Sequence, residues 1–299
     1  MYNGIKVIDC FPYFNEKELL ELRINLLKDH VDGFIITDAD HTHGGHSKNL
    51  SCFETISELG LENVNITVLA AHLPSYEIEK NNYVRERYQR DIASNFFEEN
   101  TVYIVSDCDE IINPNTISEY VKSSIENKNR LFRIPMDYLI GRADLQAYHP
   151  RGLPHSWITP FVCMKHHIEK YTLSEIREDY ATGEFKLGFE DVSPKDLTGK
   201  PLSCGWHFSW MGDTDRIKTK MKSFLHCYDT PDTFEVLQHA IGAMNSPEMM
   251  EFLDNYKAEV GSNDPYGRKD HILKPYPIEN LPQKIFQLER VKKFLLKDI

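Results

Sequence analysis

Residues 101–105 read TVYIV and residues 106–110 read SDCDE. The first five are β-branched or aromatic, which predicts a buried strand, and the next five place Asp107, Asp109 and Glu110 in a turn at its end. Two carboxylates separated by one residue can both approach a hard divalent cation, directly or through its waters. Three crowded carboxylates also repel one another unless a cation is present. We therefore predict a metal at Asp107 and Asp109; the alternative is an acidic surface turn ahead of a helix.

Around this stretch, short apolar runs alternate with amphipathic segments. Strands are predicted at 5–8, 33–37, 65–70 and 101–105. Helices are predicted from Asn15, around 53–59, over a stripe formed by Val84, Tyr88, Ile92 and Phe96, and from Asn113 to Glu126. This alternation predicts an α/β fold with an open, doubly wound sheet. Ligands of such sheets bind beyond the carboxyl ends of the strands, so residues 38–46 and 106–111 are expected near the site.

The second half is less regular. Residues 130–139 are predicted to form a further strand, and 141–201 hold aromatic residues, prolines and short strand-like pieces. A helix is predicted over 213–226, with further short helices to the C-terminus. No flexible linker or internal repeat divides the chain. We therefore predict one domain over residues 1–299.

The amino-acid composition disfavours some classes of binding partner. Apolar residues make up 41% and charged residues 27% of the 299, as in ordinary globular proteins. The formal net charge of -12 disfavours nucleic acid and anionic membranes as partners. Neither a secretory signal nor a membrane span is predicted, so a cytoplasmic location is expected. The six cysteines form no C-x-x-C pair and are predicted to be free thiols; a set of disulfides is the alternative.

Residues 205–210 read GWHFSW. In a strand, alternation would place Trp206, Phe208 and Trp210 on one face and His207 on the other. His207 would then be free to face a site, although a hydrogen-bonded core histidine is the alternative. The histidines within residues 40–46 have no standard zinc spacing, and we interpret that segment as a loop near the donor or acceptor.

Several segments, in this order, resemble glycosyltransferase family 17, the β-1,4-mannosyl-glycoprotein N-acetylglucosaminyltransferases that add bisecting GlcNAc. They are residues 7–16 (VIDCFPYFNE) with the leucines and Arg23 that follow, 42–44 (THG), 85–91 (RERYQRD), 107–111 (DCDEI) and 205–209 (GWHFS). The resemblance extends from about residue 5 to 290. It implies a GT-A-like fold, with a Rossmann-like nucleotide-sugar-binding half over 1–140 and an acceptor-side half over 141–299.

The resemblance also implies a chemistry. The family uses a UDP-GlcNAc donor, inverts the anomeric centre and is expected to need Mn²⁺ (or Mg²⁺). The partners would be a nucleotide-sugar donor and a glycan acceptor. The sequence departs from the vertebrate members in lacking a membrane anchor and luminal stem, which suggests a bacterial or viral relative acting on another glycan.

Site residues follow in part from the resemblance. His207 matches the late histidine that often completes a GT-A metal site beside Asp107 and Asp109. Inversion needs a carboxylate base for the acceptor hydroxyl, and Asp191 with Glu190 is the candidate; a solvated acidic loop is the alternative.

Contacts with the donor are predicted from strand ends and from basic residues. Asp9 and Asn15 follow the first strand and could contact uracil or ribose, although Asn15 could equally cap a helix. Arg85 and Arg90 could pair with phosphate directly. Asp107 could contact the phosphate through the metal that it is predicted to bind. A surface ion network is the alternative for the two arginines.

Two other functions remain open. Haloacid-dehalogenase phosphatases also carry Asp-x-Asp after an apolar strand. In those enzymes, however, the motif lies on the first strand and has Thr or Ser at the position of Ile111. A catalytically inactive glycan-binding or nucleotide-sugar-binding protein with the same fold is the third hypothesis.

Overall fold

The computed structural model describes residues 4–181, 187, 202–229 and 243–296. The predicted catalytic residues Glu190 and Asp191 lie outside these ranges. Within them the strands are β1 (Lys6–Tyr13), β2 (Gly33–Ala39), β3 (Ile66–Ala71), β4 (Thr101–Val105), β5 (Glu110–Ile112), β6 (Phe132–Arg133), β7 (Met136–Ile140), β8 (Leu145–Tyr148), β9 (Ser156–Trp157), β10 (Phe161–Met164), β11 (Gly205–Ser209) and β12 (Ile272–Pro275). The α-helices are α1 (Lys17–Leu27), α2 (Cys52–Glu58), α3 (Asn82–Asp91), α4 (Pro114–Glu126), α5 (Lys165–Ile168), α6 (Leu173–Ala181), α7 (Thr214–Ser223), α8 (Pro247–Asn255), α9 (Lys284–Gln287) and α10 (Glu289–Leu296).

The first sheet has the strand order β3-β2-β1-β4-β10-β6. Strands β1 to β4 pair in parallel, whereas β10 is antiparallel to both of its neighbours. One face packs with α1, α2 and α4 through Phe11 and Ile104, and the other packs with α6 through Cys10 and Tyr103. Helices on both faces explain why β2 and β4 are buried along their whole length. The predicted α/β fold with an open, doubly wound sheet is therefore confirmed.

The second sheet has the order β12-β8-β7-β11-β5, and β9 pairs with β7. Strand β11 is parallel to β7 and antiparallel to β5. Strand β5 begins directly after the turn that ends β4, so one short segment leaves the first sheet and enters the second. In this register His207 lies opposite Glu110. The acidic turn therefore lies where the two sheets meet.

Helix α3 differs from its prediction. Its apolar stripe does not face the core, because Val84 is 41% and Tyr88 is 50% exposed. The buried face is polar instead and carries Arg85, Gln89 and Arg90. The α-helix also ends at Asp91, where a 3-10 helix begins and runs to Phe96. Periodicity identified the helix correctly but not its inner face, because the groups that α3 contacts are loop carbonyls and carboxylates.

The first strand is longer than predicted: β1 runs from Lys6 to Tyr13 and contains Asp9, which was expected to follow it. The helix from Asn113 is confirmed as α4, and the Asn113 side chain accepts a hydrogen bond from the Asn115 N–H at 3.1 Å. Asn15 does not cap α1: Glu16 holds the N-cap position without a side-chain cap bond. Residues 130–139 contain β6 and the start of β7 in different sheets, not one strand.

The six cysteines are all buried free thiols, as predicted. The alternative of a disulfide set is therefore excluded. In the described ranges, no helix has the length and apolar character that crossing a lipid bilayer requires.

Candidate active site

A buried arginine fixes the turn after β4. The Arg23 guanidinium donates to both carboxylate oxygens of Asp9 at 2.6 and 2.7 Å, and both side chains are fully buried. It also donates to the carbonyl of Asp107 at 2.6 Å, to that of Glu110 at 2.9 Å and to the Ser106 hydroxyl at 2.6 Å. Arg23 thus ties the end of β4 to β1. Because both Asp9 oxygens already bind Arg23, this arrangement argues against the predicted contact of Asp9 with the donor.

Asp107 faces two arginines. One oxygen accepts from Arg90 at 3.0 Å and the other from Arg177 at 2.6 Å. Burial alone would raise the pKa of Asp107, but the positive charges of Arg177 and Arg90 outweigh it and lower the pKa. The Asp107 side chain remains 32% exposed, so it lies at the mouth of the site.

Asp109 lies deeper, with a side chain that is 8% exposed. Its Oδ2 is 2.7 Å from Lys220 Nζ, and its Oδ1 is 3.6 Å from His207 Nε2. Burial opposes ionisation of this carboxyl, but Lys220 and then His207 outweigh it and hold the pKa far below its usual range. Asp109 is therefore an anion with one basic and one imidazole neighbour.

Glu110 is the third carboxylate of the turn, and all of its partners hold it in place. Its carboxylate accepts from Arg177 at 2.7 and 3.0 Å, from the Thr159 hydroxyl at 3.1 Å and from the Trp157 indole N–H. It also accepts from the main-chain N–H of Asp107 at 2.6 Å. Since Glu110 is fully buried, these bonds make it a positioning group for Arg177 and for the turn.

His207 is enclosed by aromatic rings. Its ring stacks on Tyr138 at 5.0 Å with an interplanar angle of 10°, and Trp157 lies 4.4 Å away on a tilted plane. Nε2 faces Asp109, whereas Nδ1 is buried without a hydrogen-bond partner. The predicted alternation of β11 is confirmed for Trp206 and Phe208, which pack in the main core while His207 faces the acidic turn. It is wrong for Trp210, which lies beyond the end of β11 and packs in a second cluster with Tyr138 and Ile217.

The predicted metal ligands are close but do not form a closed cage. Among the described residues, no group of three or more His, Cys, Asp or Glu side chains is placed to hold a metal ion together. Asp109 and His207 face each other, while Asp107 is directed to its arginines. Hard cations that serve phosphate chemistry are commonly held by one or two carboxylates, with substrate phosphates and water completing the shell. An anionic carboxylate facing the Nε2 of an imidazole fits such a cation.

The other predicted donor residues have different surroundings. Arg85 is fully buried and donates to the carbonyls of His43 and Glu79, so it holds the loop after β2 and is not free for phosphate. Arg90 is 3% exposed and bridges Asp107 and Glu86. It is thus part of the site, and the alternative of a surface network does not apply to it.

Two further predictions concern the loop after β2 and the residue Asn15. Asp40 accepts from His41 and His72 at 2.9 Å each, and His43 Nε2 lies 2.8 Å from Gln89 Oε1. These histidines therefore have partners of their own. Asn15 is exposed, and its carbonyl accepts from Arg216 at 2.8 Å.

Sequence reasoning missed three basic residues of this site, namely Arg23, Arg177 and Lys220. All three share a signal. Each lies within the apolar stripe of an amphipathic helix, as Lys220 does between Ile217 and Met221. A basic residue on a buried helical face requires a carboxylate partner, and that requirement could have identified them.

Comparison with known proteins agrees with the predicted class. Residues 2–130 match the family model of Glycosyltransferase family 17. Comparison with curated proteins gave no match. Among solved structures, S. aureus TarS 1-349 is similar at 13% identity and a TM-score of 0.35, over 55% of this chain and 48% of that one. A 4-diphosphocytidyl-2C-methyl-D-erythritol synthase is similar at 12% identity and a TM-score of 0.36, over 67% of this chain and 93% of that one.

The chain thus spans about half the length of TarS 1-349. The matched residues 2–130 contain β1 to β5 and the whole acidic turn. This segment is therefore similar to glycosyltransferase family 17, and glycosyl transfer is the activity that the match supports.

Proposed function

We propose that the protein transfers GlcNAc from UDP-GlcNAc to a hydroxyl of a glycan acceptor, with inversion and with the help of Mn²⁺ or Mg²⁺. The observation that carries the proposal is the pairing of Asp109 with His207 and Lys220 at the carboxyl end of β4. Ligands of open α/β sheets bind at this edge. The family match over the same segment supports the choice of reaction.

The charges of the site suit a departing nucleoside diphosphate. As the glycosidic bond breaks, negative charge develops on the leaving phosphate and must be offset. A bound divalent cation would supply Lewis-acid neutralisation of that charge. Asp109 and His207 would hold it, with Asp107 at the exposed edge. Arg90 and Arg177 keep Asp107 ionised and oriented beside the phosphates.

Inversion requires a base opposite the leaving group. Asp191 and Glu190 remain our candidates for removing the proton from the acceptor hydroxyl. Helix α6, which brings Arg177 to the acidic turn, ends at Ala181, nine residues before Glu190 along the chain.

The proposal predicts UDP release from UDP-GlcNAc that depends on a divalent cation. With Mn²⁺ present we expect UDP release, by slow hydrolysis or by transfer to an added glycan. Removal of the metal with EDTA should reduce the rate by roughly two to three orders of magnitude, because several kcal/mol of charge stabilisation is lost. A coupled assay for UDP measures this directly, and re-addition of Mn²⁺ is the control.

Three results would contradict the proposal in different ways. UDP release that is unaffected by EDTA removes the metal from the mechanism. Phosphate release from p-nitrophenyl phosphate, without any UDP release, supports a phosphatase instead. UDP binding by calorimetry without turnover on any donor supports a binding protein.

A further inference from the structure

Lys220 is the basic group nearest to Asp109 among the described residues, and it lies outside residues 2–130, which match the family model. It lies on the buried face of α7, between the core residues Ile217 and Met221. Its ammonium is 2.7 Å from Asp109 Oδ2 and 5.3 Å from the centroid of the Trp210 ring. Unlike Asp109, it is partly accessible, with 30% of its side chain exposed.

The two aspartates of the turn are neutralised in different ways. Asp107 is held by two guanidinium groups, whose planar forks fix a carboxylate in one orientation. Asp109 is held by one ammonium, which is a compact point charge on a flexible stem with four methylene groups. A buried carboxylate needs a positive partner, and this partner can move away without a rearrangement of the main chain.

Space for that movement exists beside Lys220. A recess adjoins Lys220, and Asn15, Glu16, Trp210, Arg216 and Phe294 are among the residues that line it. Arg216 already pairs with Glu18 at 3.1 Å, whereas the Glu16 carboxylate attracts Lys220. An ammonium that left Asp109 could therefore remain close by, with Glu16 as an alternative partner.

We infer that Lys220 is the internal counter-ion of Asp109 in the metal-free protein, and that a divalent cation arriving at Asp109 displaces its ammonium towards the recess. This inference rests on the proposed function in one respect, since it takes Asp109 as the site of the cation. Lys220 would thus compete directly with the cation for Asp109.

The test is Mn²⁺ binding without donor, measured from the loss of the free Mn²⁺ signal in electron paramagnetic resonance. Lys220→Met removes the competing charge and keeps an unbranched side chain of similar length. We expect it to bind Mn²⁺ at least about tenfold more tightly than the unmodified protein, a difference equivalent to one ordinary charge contact. Lys222→Met is the matched control, because Lys222 is exposed on the same helix, and it should not change the affinity.

A second variant protects the test against misfolding, since Lys220→Met leaves Asp109 without its partner. Lys220→Arg keeps the charge and offers Asp109 a bidentate fork, so it should bind Mn²⁺ more weakly than the unmodified protein. Equal affinities in the unmodified protein and Lys220→Met would overturn the inference. If Lys220→Met does not fold, an affinity for Lys220→Arg that equals or exceeds the original would overturn it as well.

Trp210 gives a readout that is independent of affinity. Because Lys220 lies near its ring, saturation with Mg²⁺, which unlike Mn²⁺ does not quench fluorescence, should change the Trp210 emission in the unmodified protein but not in Lys220→Met. Comparison with Trp210→Phe shows which part of the emission comes from Trp210 and which from the other tryptophans. No change on saturation would contradict displacement. These titrations use no donor, so a protein that fails to transfer sugar can still confirm the inference, and an active transferase can still refute it.

Discussion

Asp109→Asn should reduce cation-dependent transfer by about two to three orders of magnitude while leaving the fold intact. Asparagine keeps the shape of the side chain but removes the charge that would hold the cation, and it leaves Lys220 as an unopposed ammonium in that position. Initial rates of UDP release at saturating Mn²⁺ measure the effect. Circular dichroism of the same sample establishes that the protein is folded.

The matched control is Asp215→Asn, which removes an exposed carboxylate from α7. It should retain the original rate, since Asp215 lies on the outer side of the helix that carries Lys220. Normal transfer in Asp109→Asn would remove Asp109 from the mechanism, whatever the behaviour of the control.

Arg23→Met should destabilise the protein by about 3–5 kcal/mol, because it leaves Asp9 as a buried charge without a partner. It also removes the donors to Ser106 and to the carbonyls of Asp107 and Glu110. Guanidinium chloride unfolding followed by tryptophan fluorescence gives the loss. Adding Asp9→Asn to Arg23→Met should recover part of it, because the uncompensated charge is then gone.

Arg290→Met is a suitable control for this second prediction. Arg290 pairs with Glu21 at 3.4 Å and is 47% exposed, so its removal should cost less than about 1 kcal/mol. An equal loss of stability in Arg23→Met and Arg290→Met would show that the Asp9–Arg23 pair is not a main support of the turn.

The parallel strands could be predicted from the sequence because each contains a short β-rich run, and β2 and β4 are buried along their whole length. Strand β4 matches its predicted bounds, and the acidic turn follows it as expected. The strength of that signal comes from local composition alone. The same is true of α4, where Asn113 and Pro114 mark the start of the helix.

The surroundings of the site could not be predicted in the same way. The sequence argument was that crowded carboxylates need a metal cation, and it did not foresee that Arg177 and Lys220 supply positive charge from helices far along the chain. The metal itself stays a prediction. The prediction of which face of α3 is buried was also wrong, because polar contacts with distant residues outweighed its apolar stripe. Both errors concern long-range pairing, which periodicity does not contain.

The junction at β5 restricts the length of the chain as well as its composition. The main-chain carbonyl of Asp109 accepts from the Phe208 N–H at 2.8 Å, and the next residue already pairs with His207. Most surface turns accept an inserted or deleted residue. Here a single insertion after Asp109 would change the position of the Asp109 carboxylate relative to His207. It would also move each following residue of β5 to the opposite side of the sheet. Homologues that preserve this chemistry should therefore show no length variation between the second aspartate and the strand that follows.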